Sequence, residues 1–125
     1  MALQNASGRS DVHHNKVWYT KIGVDAIDST IKLRSNDIHG VGTEGGIYVE
    51  SGTGSQVWRN RVQNFQIGIE VDVSGTTIRD NDLRGNLSDG CIDTTSGSGT
   101  AGTGNIWSGN VASPGSTPAA ICANP

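Results

Sequence analysis

The residues with the clearest capacity for chemistry are acidic side chains in short segments that begin with glycine. Glu70 and Asp72 stand two apart in GIEVD (residues 68–72), and Glu50 ends the similar segment GIYVE (residues 46–50). Residues two apart on a β-strand share a face at ~6.6 Å, and neighbouring strands lie ~4.8 Å apart. If the two segments are neighbouring strands, three carboxylates gather on one face.

Two functions suit such a cluster. Carboxylates a few ångströms apart raise one another's pKa unless a cation neutralises them. Calcium takes carboxylate oxygens, so Glu50, Glu70 and Asp72 are candidate ligands for Ca²⁺. A pair of carboxyl groups also serves glycoside hydrolysis, which makes Glu70 and Asp72, with Lys21 nearby, candidate catalytic residues. A solvated acidic stripe without function is the third interpretation, and the residues alone leave all three open.

Further candidates surround the cluster or lie on other faces. Asp25 and Tyr48 are predicted to share the outward column of Glu70, where they would contact a ligand. Trp18 and Trp58 are candidate platforms for stacking a sugar ring. For Trp58 the alternative is cation–π stacking, because the aligned segments place it between two arginines.

A repeat must position all of these residues. Asparagine, flanked by aliphatic residues three before and two after, recurs with steps of 21, 24, 21 and 24 residues, and the glycine segments recur in phase with steps of 23, 22 and 22. A fixed period of this length is typical of solenoids. The copies centre on Asn15, Asn36, Asn60, Asn81 and, in degenerate form, Asn105.

The residues inside each copy indicate β-strands. The segments are rich in Val and Ile with period-two alternation, and no ten-residue helical pattern occurs. The spacing around the asparagine requires a sharp bend, and asparagine tolerates the left-handed conformation that such a bend needs. Stacked asparagine side chains also bond from coil to coil. We predict an all-β parallel solenoid of about five coils, roughly 22 residues each, with an asparagine ladder.

Over roughly residues 11–111 these features resemble the right-handed parallel β-helix of the pectin-lyase-like superfamily. That superfamily includes pectate lyases, polygalacturonases, mannuronan epimerases and phage tailspikes. The resemblance implies a polysaccharide ligand or substrate, with Ca²⁺ as the cofactor of a lyase. The sharper catalytic motifs of these enzymes are missing, and only Ile38-His39-Gly40 is similar to the Gly-His-Gly of polygalacturonases.

The repeat also predicts the interior and the ends. Cys91 falls at an inward position, either as a small buried hydrophobe or in a disulfide with Cys122. We expect residues 1–112 to form the β-helix, beginning with a strand at 2–6, and residues 113–125 to form an extended capping tail; a disordered tail is the rival interpretation. The predicted inward residues are Val12, Val17, Val24, Ala26, Leu33, Ile38, Ile47, Val49, Val57, Val62, Ile69, Val71, Ile78, Leu83, Cys91 and Trp107.

The overall composition and charge limit the possible binding partners. The chain has 125 residues and a net charge of −3, so no basic field recruits nucleic acid. No apolar run approaches the ~18 residues of a membrane span, and the first residues lack the pattern of a signal peptide, so the compartment stays open. Open solenoid ends invite self-association. We expect a non-catalytic structural segment or scaffold, cut from or designed after a larger carbohydrate-active or phage-type β-helix. The alternative is a protein that binds acidic polysaccharide, or a lyase, hydrolase or epimerase that degrades it, with Ca²⁺ as the candidate cofactor.

Overall fold

The computed structural model describes residues 2–4 and 9–124, and of Ala2–Gln4 and Arg9 only the backbone. They form a parallel β-solenoid of about five coils of roughly 22 residues. Among the described residues no helix has the length and apolar character to cross a membrane. In chain order the strands are β1 (Ala2–Gln4), β2 (Arg9–His13), β3 (Lys16–Thr20), β4 (Val24–Ile27), β5 (Thr30–Arg34), β6 (Asp37–Gly40), β7 (Gly45–Val49), β8 (Gln56–Trp58), β9 (Arg61–Gln63), β10 (Ile67–Val71), β11 (Thr77–Arg79), β12 (Asp82–Leu83), β13 (Asp89–Asp93), β14 (Ile106–Ser108), β15 (Val111–Ala112) and β16 (Ser116–Thr117), with one 3-10 turn at Thr100–Gly102.

Each coil contributes one strand to each of three parallel sheets. Sheet A has the order β1-β4-β7-β10-β13-β16, sheet B the order β2-β5-β8-β11-β14, and sheet C the order β3-β6-β9-β12-β15. Every third strand is therefore a neighbour in space. The outward side chains of each sheet form columns along the solenoid, because successive coils pair in parallel.

The core is a stack of aliphatic side chains, as the repeat predicts. Leu33, Val57, Ile78 and Trp107 follow one another in register in sheet B, and all four are buried. Every other predicted inward residue from Val24 to Cys91 is also buried, and Val12 and Val17 are partly buried against the core. The interior residues that the repeat did not predict are Ile31, Phe65, Ala112, Ile121 and Cys122.

The glycines that open the predicted segments have a packing role. Gly23, Gly46 and Gly68 are buried and stacked, and a Cβ on any of them would collide with the carbonyl oxygen of the next glycine in the column. Sheet A therefore approaches its neighbouring coil too closely at this corner for any side chain.

The asparagine ladder forms, but its last rung differs from the prediction. Each ladder asparagine from Asn15 to Asn81 donates its backbone N–H and its Nδ2 to Oδ1 of the asparagine one coil later, for example Asn36 to Asn60 at 3.0 Å each. Asn81 donates in the same way to Asn110. The assignment of Asn105 to the fifth rung was wrong, because Trp107 pairs with Ile78 and so sets the register five residues later.

The predicted conformation of the bend was also wrong. The left-handed φ belongs to the residue before each ladder asparagine: His14, Ser35, Arg59, Asp80 and Gly109 have φ between 55° and 67°. The asparagine itself stays outside that region. This leaves its N–H and amide pointing along the solenoid, where they bond to the next coil.

The C-terminal segment returns onto the solenoid. β16 pairs with β13 in sheet A, and Ala123 bridges to Val111. Cys91 and Cys122 form a disulfide and are both buried, so Cys91 points inward as predicted and is also disulfide-bonded.

The boundary at residue 112 between the β-helix and the capping tail stays a prediction. The predicted first strand at 2–6 is described only at Ala2–Gln4, and positions 5–6 lie outside the described residues.

We predict that Asn60→Ala destabilises the protein by about 2–5 kcal/mol in denaturant unfolding, because the buried N–H and Nδ2 of Asn36 lose their acceptor. Asn15→Ala is the matched control, since Asn15 is exposed and should cost less than ~1 kcal/mol. Equal losses for the two variants would show that the ladder does not carry the stability assigned to it.

Candidate functional site

The acidic cluster lies on the outward side of sheet A. We call Asp25, Tyr48, Glu50, Glu70 and Asp72 the acidic face. Tyr48 lies in register between Asp25 and Glu70 on adjacent strands. Glu50 and Asp72 follow the ends of β7 and β10, and their backbone N–H groups donate to the preceding coil at 3.0 and 2.9 Å. The sheet thus brings the five residues into two adjacent columns.

The environment opposes ionisation of this face. Partial burial raises the pKa of Glu70, and the charge and hydrogen bond of Asp72 add to the effect. Partial burial likewise raises the pKa of Glu50, followed by the hydrogen bond and charge of Asp25. The pKa of Tyr48 is raised by burial and then by the charge of Glu70. Glu50 beside Asp25 and Glu70 beside Asp72 therefore each favour holding a proton.

Neutralising partners are few. Asp72 accepts a hydrogen bond from Thr94 Oγ1 at 2.8 Å, while Asp25 Oδ1 is buried and receives no donor among the described residues. Lys21 is exposed in the loop before β4 and forms no ion pair within the described part of the chain. Nothing in the described structure thus assigns Lys21 to the face, and its catalytic role stays a prediction.

The carboxyl groups are paired rather than gathered into one cage. Within residues 2–4 and 9–124, no group of three or more His, Cys, Asp or Glu side chains is arranged to hold a metal ion. The described surface also has no pocket. The acidic face is thus an open wall, and the calcium assignment of Glu50, Glu70 and Asp72 stays a prediction.

The tryptophans lie on other faces. Trp58, on β8 of sheet B, has the guanidinium carbons of Arg34 and Arg79 at 6.0 and 5.2 Å from its ring centroid, as the predicted cation–π column requires. Trp18, on β3 of sheet C, stacks on His39 with ring centroids 4.2 Å apart. The structure therefore does not bring either tryptophan together with the acidic face.

The residues after the ladder asparagines alternate in charge from coil to coil, which predicts a stabilising ladder of opposite charges along sheet C. Lys16, Asp37, Arg61 and Asp82 follow in register as predicted, yet the carboxylates pair along their own chain: Asp82 with Arg84 at 2.9 Å and Asp37 with His39 at 3.3 Å. Asp37 and His39 are close to each other but lie outside hydrogen-bond geometry. The reason is that the partner two residues further along the chain is within reach of the carboxylate.

His13 and His14 are adjacent in sequence, and strand alternation predicts that their side chains point to opposite faces and make a poor metal pair; the predicted directions are wrong. His14 adopts a left-handed φ of 56°, which turns its ring back. The two Nδ1 atoms lie 2.8 Å apart in an exposed hydrogen bond. A left-handed residue interrupts the alternation of a strand, so sequence adjacency did not fix the relative directions.

A buried polar network near the last full coil escaped the sequence analysis. Asp93 occupies the column of Val49 and Val71, where the repeat expects an aliphatic residue, and it is 6% exposed. Its carboxylate accepts hydrogen bonds from Trp107 Nε1 at 2.7 Å, from Asn105 Nδ2 at 2.9 Å, and from the backbone and hydroxyl of Thr95. The sequence feature that could have predicted this network is an acidic residue, Asp93, at a position where the repeat places an inward-pointing aliphatic side chain.

This network holds a charge inside the fold. Burial by itself raises the pKa of Asp93, but the hydrogen bonds from Thr95, Trp107 and Asn105 outweigh it, so the pKa is lowered from its ordinary value of 3.8. All the donors belong to the loop and strand that follow β13. The contact therefore anchors the long loop to the core rather than creating a reactive group.

Comparison with protein-family models, with curated proteins and with solved structures gives no match to this chain.

Glu70→Gln should raise the free energy of unfolding at pH 7 by about 0.5 kcal/mol, a value kept small because the site is partly solvated. A raised pKa in the folded state means that Glu70 favours the fold when protonated, and this contribution is lost as the pH rises through the folded pKa. The gain should therefore vanish below the unfolded pKa, near pH 3–4. Denaturant unfolding at the two pH values tests this, with the exposed Glu44→Gln as control.

Asp93→Ala should destabilise the protein by about 3 kcal/mol at pH 7, because Trp107 Nε1 and Asn105 Nδ2 lose their acceptor. The pKa of Asp93 is lowered, so its contribution is present above pH 3.8 and is lost as the pH falls through the folded pKa. The difference from wild type should shrink in strong acid. Asp11→Ala is the matched control, since it removes only an exposed ion pair with Arg34 and should cost far less; an equal loss there would contradict the assignment.

Proposed function

We propose that this chain is a non-catalytic structural segment, a right-handed parallel β-helix of the pectin-lyase-like kind. The observation that carries the proposal is the asparagine ladder, which runs through all the coils from Asn15 to Asn110 and joins each coil to the next. Such a ladder makes a stiff rod whose length scales with the number of coils.

The outward columns support the same function. Several polar side chains on the outer surface bond to the neighbouring coil: Thr94 to Asp72, Ser88 to Gln66, and Ser51 to Asp28. Arg34 and Arg79 stack on Trp58 from the coils on either side. These side chains hold neighbouring coils together, which is sufficient for a structural role.

A second candidate function rests on the acidic face. Paired carboxyl groups at Asp25–Glu50 and Glu70–Asp72, with raised pKa at Glu50 and Glu70, form a wall that favours protons or cations. A protein that binds or cleaves an acidic polysaccharide through a bridging Ca²⁺ would use Glu50, Glu70 and Asp72 as ligands or acid and base, and Tyr48 as a contact. The open surface, and the absence of a Lys or Arg ion pair to these carboxyl groups among the described residues, favour the structural proposal.

We expect no unsaturated ends and no reducing ends when the protein is incubated with pectate, alginate or chondroitin, with or without Ca²⁺. Absorbance of the unsaturated product and a reducing-end assay measure the two outcomes. A commercial pectate lyase serves as the positive control for the assay.

Turnover of any of these polymers would overturn the structural proposal. Glu70→Ala with Asp72→Ala then locates the activity: loss assigns it to the acidic face, and survival places it elsewhere. Binding of polymer without turnover, abolished by the same pair of substitutions, would support the acidic face as a binding wall.

A further inference from the structure

One outward column of sheet B is cationic and has an aromatic ring at its centre. Trp58 lies in register between Arg34 and Arg79 on the adjacent strands, and their guanidinium carbons lie 6.0 and 5.2 Å from its ring centroid. All three side chains are partly exposed. We call Arg34, Trp58 and Arg79 the cationic column, in which the residues follow one another at the ~4.8 Å spacing of neighbouring strands.

One outward column of sheet A has the same pattern with the opposite charge. Tyr48 lies in register between Asp25 and Glu70, and we call these three partly exposed residues the acidic column. Within the described part of the chain, neither carboxyl group forms an ion pair with Lys or Arg. Burial and the neighbouring Asp72 raise the pKa of Glu70, so a nearby cation would stabilise its ionised form.

The two columns lie on the same coils. In chain order β4 is followed by β5, β7 by β8, and β10 by β11, and each pair contributes one strand to sheet A and one to sheet B. A coil that carries an acid on sheet A therefore carries an arginine on sheet B, and the coil that carries Tyr48 also carries Trp58. The columns thus agree in order, in spacing and in level along the solenoid axis, while their charges are opposite.

Sheet B has positive charge available for a partner. The arginines of the cationic column pair with Asp11 at 3.1 Å and Asp80 at 3.3 Å, and exposed pairs of this kind are weak. Lys32 lies on the same strand and face as Arg34, and Arg59 directly follows the column's tryptophan and is exposed. Neither of these two cations forms an ion pair among the residues that the structure describes.

We propose that the cationic column of one copy docks against the acidic column of a second copy, with the two solenoids parallel and side by side. Each carboxyl group then faces an arginine and Tyr48 faces Trp58, because both columns repeat with the same coil spacing. An extended peptide matches this pattern less well, since its residues on one face lie ~6.6 Å apart. Each copy carries both columns, so the contact is heterologous and repeats into an open row of solenoids.

This inference deepens the structural function proposed above and rests on it, but the two fail separately. Absence of association would leave a structural rod without this partner. Turnover of a polysaccharide would overturn the structural function whatever the state of association.

Sedimentation velocity of the full chain across a concentration series at pH 7 tests the docking, at ionic strengths of about 0.01 M and about 0.15 M. The Debye length falls from about 30 Å to about 8 Å between the two conditions. We expect association beyond a dimer at the lower ionic strength, and an apparent dissociation constant about tenfold or more higher at the other. A monomer under both conditions, a closed dimer, or association that ignores salt would each overturn the proposal.

Two complementary variants identify the columns. Asp25→Asn with Glu70→Gln removes the charge of the acidic column, and Arg34→Gln with Arg79→Gln removes that of the cationic column. Each double variant should be monomeric alone, because every contact needs one column of each kind. An equimolar mixture should form a one-to-one pair and nothing larger, since one intact column of each kind remains. A mixture that stays monomeric while the wild type associates places the interface elsewhere.

Arg84→Gln is the matched control for loss of an arginine. Arg84 follows β12 of sheet C and forms an exposed ion pair with Asp82 at 2.9 Å, outside both columns. Association should stay within about twofold of wild type, because exposed ion pairs elsewhere on the surface contribute little. Far-UV circular dichroism confirms that each variant is folded. An equal loss of association in Arg84→Gln would mean that overall charge, and not the cationic column, drives the contact.

Discussion

The fold depends on the amide of one asparagine in every coil. Asn60 shows why, because its Oδ1 accepts two hydrogen bonds from Asn36 while its Nδ2 donates to Asn81 and to the carbonyl of Leu33. The side chain is 1% exposed, so each of these groups would be left unsatisfied without its neighbour. Adjacent coils are thereby tied in register, and the aliphatic columns and the outward columns follow from that register.

This constraint was visible in the sequence where the repeat is regular. The aliphatic positions around Asn36, Asn60 and Asn81 gave the core and the three sheets, because period-two alternation and a fixed step leave few alternatives. Prediction failed at the fifth rung of the ladder, because the loop at 96–104 is longer than the equivalent loops. The ladder asparagine of this coil is therefore Asn110 instead of Asn105. The pairing of Trp107 with Ile78 fixes this register between β14 and β11. Side-chain directions at His13 and His14 failed for a related reason, namely a left-handed residue between strands.

The columns of the acidic face could be predicted, but its chemistry could not. The register of Asp25, Tyr48 and Glu70 follows from the glycine segments. Whether neighbouring carboxyl groups bind a cation depends on the side-chain rotamers and on the exact position at which each strand ends. A sequence repeat specifies neither. In the structure Glu50 lies beside Asp25 and Glu70 beside Asp72, and among the described residues no group of three or more His, Cys, Asp or Glu side chains is arranged to hold a metal ion.

Asp93 and the acidic face illustrate two ways in which a solenoid handles charge. Asp93 is buried, yet donors from the following loop and strand keep its pKa low, so its charge strengthens the attachment of that loop. Glu50 and Glu70 are more accessible, yet burial and then their acidic neighbours raise their pKa, because no donors compensate as they do at Asp93. The presence of donors therefore decides the direction of the shift. Acidification therefore acts in opposite directions on the two regions: it relieves repulsion along the wall of sheet A and weakens the anchor at the last full coil.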